Sequence, residues 1–89
     1  MTELEVTDPN WGPLEMHLPP EKCGDWMWMS RVRTGRRVIE QYKHRETRSY
    51  VCLDHNGKAW RLRRTWPAGR ERYVRANAAA EIAAASAGW

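Results

Sequence analysis

No phenylalanine occurs among these 89 residues, and only 12 of them are Leu, Ile or Val. A charged chain this poor in aliphatic bulk borders on the compositional range of disorder. Its length excludes a two-domain enzyme with a cleft between its halves. No apolar run approaches a membrane span, and no charged segment followed by an apolar run opens the chain, so the expectation is a cytoplasmic protein without a membrane partner. Two cysteines, Cys23 and Cys52, are too few for a disulfide framework and are expected to remain thiols. Also missing are G-x-S-x-G, H-E-x-x-H and a Gly-rich phosphate loop. No catalytic residue and no cofactor are therefore expected, and His44 with Glu46 or His55 with Asp54 read as turn residues.

Six Trp, three Tyr and four Met supply the missing bulk. Each aromatic buries on the order of 150–250 Å², so the expected core is aromatic and thin. The net charge of +4 hides a segregation. Residues 1–30 hold six acidic side chains against Lys22, a net −5, whereas residues 31–75 hold fourteen Arg and Lys against four acids, a net +10. Arg outnumbers Lys twelve to three, and the planar guanidinium forks phosphates and stacks on rings as an ammonium cannot. A body this basic suits phosphates or an acidic protein face.

Residues 1–24 carry Pro9, Pro13, Pro19 and Pro20, which block helix and interrupt ladder pairing, so they read as an extended acidic arm, either pinned onto the body by Trp11, Met16 and Leu18 or disordered. Residues 25–89 form one small domain. Trp26, Trp28, Ser30 and Val32 alternate with Met27, Met29, Arg31 and Arg33 up to the turn pair Thr34-Gly35. Further strands are expected over Arg37–Lys43, Arg48–Asp54 and Lys58–Arg64. Asn56-Gly57 predicts a two-residue type I′ hairpin. That register sets Leu53 against Trp60 and Val51 against Leu62, and leaves Tyr50, Cys52, Arg61 and Arg63 on the opposite face. Trp66-Pro67-Ala68-Gly69 breaks the ladder. From about Arg72 to Ala87 the composition favours helix, with Val74, Ala78, Ile82, Ala85 and Trp89 on one stripe and Gly88 as its stop. The expected fold is α+β: an antiparallel meander of about four strands with one C-terminal helix on one face and an extended N-terminal arm.

Arg31, Arg33, Arg61 and Arg63, with Tyr50 as a stacking ring, form the candidate nucleic-acid surface. The layout of a few antiparallel strands backed by one helix resembles sheet-reading DNA-binding domains in architecture alone, without a shared motif. The expected function is non-catalytic binding of nucleic acid or of a nucleic-acid-handling complex. The alternative is a small inhibitor or adaptor, of the kind phages and mobile elements encode, that docks on a protein through Trp26, Met27, Trp28 and Met29. Cys52-x-x-His55, with Cys23 and His17 or His44, is loosely similar to a zinc knuckle. Residues three apart on a regular ladder point to opposite faces, so no metal site is expected.

Overall fold

The computed structural model describes residues 2–4, 8–65 and 70–88. One antiparallel sheet has its strands in chain order: β1 (Thr2–Leu4), β2 (Trp26–Thr34), β3 (Arg37–His44), β4 (Tyr50–Asp54), β5 (Ala59–Thr65) and β6 (Arg70–Ala76). Two short helices, α1 (Gly12–Glu15) and α2 (Pro20–Cys23), precede β2, and α3 (Ala78–Ala87) follows β6. The α+β meander with its C-terminal helix is as expected. It has five strands from β2 to β6 in place of about four, and the three-residue β1 adds to the outer edge of β2.

The additional strand takes up what reads in sequence as the start of the helix. Arg72–Ala76 pair along β5, with Leu62 opposite Tyr73 and Arg61 opposite Val74. Tyr and Val suit a pleated surface, and a ladder offered by a neighbouring strand overrides weak local helix propensity. The helix starts instead after Asn77, whose side chain accepts the Ala80 N–H at 2.9 Å, and it stops at Gly88 in the left-handed conformation (φ 82°). Ile82 and Ala85 of the expected stripe are buried. Val74 belongs to β6, while Trp89 and the breaker at 66–69 lie outside the described residues.

Residues 8–24 also depart from an extended arm. Pro13 and Pro20 fall in the first turns of α1 and α2, where a missing N–H breaks no helical hydrogen bond. Leu14 is fully buried and Cys23 joins the same core. The Trp11 ring lies 5.7 Å from that of Tyr42, whose hydroxyl donates to the Asn10 carbonyl at 2.6 Å. The segment therefore covers one face of the sheet together with α3.

Two one-residue irregularities decide which side chains share a face. In β2 the register shifts between Trp28 and Ser30, so Met29 is an extra residue in the ladder. Beyond it, Arg31 and Arg33 join the face of Trp26 and Trp28, which strict alternation reserves for Ser30 and Val32. In the β4–β5 hairpin the Asp54 N–H donates to the Lys58 carbonyl and the Gly57 N–H to the Asp54 carbonyl, both at 2.9 Å, which makes a three-residue loop instead of the expected two. The Asp54 carboxylate stabilises this form by accepting the Asn56 and Lys58 N–H groups, and Gly57 takes the left-handed position at φ 77°. The observed partners are Cys52 with Trp60 and Leu53 with Ala59, one residue away from the expected register.

Leu14, Trp26, Tyr42, Val51, Leu53 and Ile82 consequently build the core on the helix-covered face. The opposite face carries Gln41, Tyr50, Cys52, Trp60, Leu62 and Arg75. There the Gln41 amide on β3 donates to the Tyr73 hydroxyl on β6 at 2.8 Å. Flat strands three places apart are separated by about 14 Å, so the sheet coils to make this face concave. Among the described residues no helix is long and apolar enough to cross a membrane.

Candidate functional site

The hairpin slip that turns Trp60 onto the concave face creates a cleft around its indole. Trp60 Nε1 donates to Asp54 Oδ2 at 2.9 Å, which holds the ring against the loop. Arg37, at the start of β3, places its guanidinium carbon 3.7 Å from the Trp60 ring centroid, and Arg75, the cross-strand partner of Trp60 on β6, places its own at 5.6 Å. Arg36 and Lys58 complete the rim of a hollow of about 400 Å³. All four cations are exposed, and none enters an ion pair among the described residues.

Among the described residues Asp54 is the one carboxylate in the lining. Burial acts to raise its pKa, but hydrogen bonds from Trp60, Lys58 and Asn56, and then the charge of Arg37, hold it below the ordinary aspartate range. With three N–H donors on its two oxygens, it is structural and leaves most of the positive potential of the rim uncompensated. Two guanidiniums over one indole, with two further cations beside them, suit a polyanion that also presents a flat group.

A second hollow, of about 440 Å³, adjoins the first, with Trp60 in the lining of both. It opens because the β4–β5 ladder holds only the pairs Cys52–Trp60 and Leu53–Ala59, although β5 continues to Thr65 and β4 begins at Tyr50. Tyr50, 52% exposed, and Leu62, 40% exposed, line this wedge.

The residues expected from sequence to form one basic surface are distributed differently. Arg31 is paired with buried Glu40 at 2.6 Å, and Arg61 forks Glu81 of α3 with contacts of 3.2 and 2.7 Å. Their guanidiniums are committed to carboxylates. Arg33 and Arg63 are exposed at the margins of the helix face. Tyr50 lies on the concave face, so the register separates it from Arg31, Arg33 and Arg63, while Arg61, paired with Glu81, still reaches the lining of the second hollow beside it. The Trp–Met run also divides: Trp26 is only 2% exposed, Trp28 donates to Glu40 Oε1 at 2.7 Å, Met27 is half-buried, and Met29 at the bulge is 40% exposed.

Cys52 and His55 diverge. Cys52 faces the wedge, whereas His55 Nε2 lies 2.8 Å from Glu40 Oε2. Among the described residues no group of three or more His, Cys, Asp or Glu converges. Sequence reasoning missed Arg36, Arg37, Lys58, Trp60 and Arg75. The only local signal was Asp54 two and four residues ahead of the N–H groups it accepts, the mark of a three-residue loop. No linear pattern links Arg75 to Arg37. No protein-family model matches the chain, and neither a curated protein nor a solved structure matches it.

Proposed function

We propose that this chain is a non-catalytic nucleic-acid-binding protein whose phosphate contacts lie in the Trp60 cleft. The observation that carries this reading is the grouping of Arg36, Arg37, Lys58 and Arg75, none of them in an ion pair among the described residues, around an indole already overlaid by two guanidiniums. Guanidiniums fork phosphate oxygens, and a polyanion gains by releasing its condensed counterions to several cations at once. Arg61 and Arg31 contribute little, because a phosphate would have to displace Glu81 or the buried Glu40. The proposal therefore moves the contact from the four strand arginines singled out in sequence to the rim of the cleft.

Affinity for an oligonucleotide, measured by fluorescence anisotropy across a salt series, tests this. The wild type is expected to show a steep linear fall of log affinity with log salt. Arg37→Ala and Arg75→Ala are each expected to flatten the slope by about one unit, with Arg61→Ala nearly silent. Absence of binding at low salt, or a slope that follows Arg61 instead of Arg37 and Arg75, overturns the reading.

A further inference from the structure

We infer that the wedge between β4 and β5 receives an unpaired nucleobase, which makes single-stranded nucleic acid, and not duplex, the ligand of this chain. The inference rests on the phosphate reading of the Trp60 cleft and adds the form of nucleic acid that the cleft takes.

The geometry that points there is the sharing of Trp60 between a cationic hollow and one whose charged lining residues, Arg61 and Glu81, neutralise each other in an ion pair. Tyr50, two residues along β4 from Cys52, is displaced from the Trp60 position by about 7 Å of strand rise, the scale of one nucleotide unit. Its ring is exposed, and Lys43 Nζ lies 5.4 Å from its centroid. Cations and rings thus succeed one another along the concave face: Arg37 and Arg75 at Trp60, then Tyr50, then Lys43. A single strand offers the complementary sequence of phosphates and bare base faces, and stacking on exposed aromatics is how proteins hold such strands. A duplex keeps its base faces inside its own stack and cannot use Tyr50 in this way.

The wedge is built for faces more than for base edges. The Gln41 amide is engaged at both ends, donating to the Tyr73 hydroxyl and accepting from the Ser30 hydroxyl. Both Glu81 oxygens are held by Arg61. With a protein partner already on each of these groups, contacts to base edges are few, and binding is tolerant of sequence. The Cys52 thiol adds no reactivity, since burial pushes its pKa up to about 11.

The test is anisotropy with a labelled single-stranded DNA, an RNA of the same sequence, the blunt duplex, and a single strand carrying abasic sites. Wild type is compared with Tyr50→Ala and Tyr50→Phe after circular dichroism shows that each is folded. Both single strands are expected to bind at least tenfold tighter than the duplex and the abasic strand. Tyr50→Ala should lose about tenfold on single strands with an unchanged salt slope, because stacking releases no counterions, and Tyr50→Phe should retain affinity. Equal binding of duplex and single strand with Tyr50→Ala silent overturns the wedge inference and leaves the cationic cleft standing. Failure to bind any of the four at low salt overturns both.

Discussion

On the helix face Arg31 sits 2.6 Å from a carboxylate that is itself fully buried, whereas on the concave face Arg37 sits over Trp60 with no ion pair among the described residues. Both regions bring a tryptophan and an arginine together, since Arg31 also lies 5.8 Å from the Trp28 ring. What differs is Glu40. Its two oxygens accept from Trp28, Arg31 and His55, which closes a polar network around a buried carboxylate. Such a closed network contributes to holding one arrangement of strands. An unclosed one leaves its potential directed at solvent and available to a ligand.

The largest effect comes from opening the closed network. Glu40→Ala leaves the Arg31 charge and the Trp28 N–H without their acceptor in a half-buried site, and a loss of about 3–5 kcal/mol in chemical denaturation is expected. A loss under 1 kcal/mol would show that water replaces the carboxylate and would remove the contrast between the two faces.

Gly57→Ala comes next. The residue has φ 77°, and an added Cβ would lie 2.7 Å from Met16 Sδ. A cost of about 1–2 kcal/mol for the backbone alone is expected, together with a displaced Met16 that NMR shifts of its methyl group would report. If the loop instead reverts to a two-residue form, Trp60 turns back to the core, and its fluorescence should shift to the blue.

A pH series sharpens the comparison from the side of the carboxylates. Burial raises the Glu40 pKa, but the hydrogen bonds from Arg31, His55 and Trp28 outweigh it, so the folded value lies below the ordinary glutamate range, as that of Asp54 lies below the aspartate range. For a depressed folded pKa the stabilisation is present above the unfolded pKa and is lost as pH falls through the folded one. Stability should therefore decline on acidification from the ordinary carboxylate range downward, and Asp54→Asn should flatten part of that decline.

The smallest stability effect belongs to the cleft. Removing both guanidiniums in Arg37→Ala, Arg75→Ala should change the unfolding free energy by less than about 1 kcal/mol, the loss of exposed cation–π contact being offset by relief of like-charge repulsion. A loss as large as that of Glu40→Ala would make the cleft a structural element and not a binding site.

The amino-acid sequence by itself determined the fold class, the strands β2 to β5 within a residue or two of their ends, the burial of Ile82 and Ala85, and the stop at Gly88. These follow from turn residues and hydrophobic periodicity, which act over a few neighbours. It did not determine on which face Arg31, Arg33, Trp60, Arg61 or Leu62 stand. Side chains alternate with a period of two, so the single extra residue at Met29 and the single extra loop residue at 55–57 each exchange everything downstream. Strand pairing likewise claimed Arg72–Ala76 from the expected helix, and packing of Leu14 under the sheet folded the proline-rich segment. The Trp60 cleft needs all of these at once, because Arg37 and Arg75 come from β3 and β6 and meet only when the sheet coils. Only the tertiary structure decides such a site, since the order of a chain specifies the contacts of near neighbours while curvature and register specify those of distant ones.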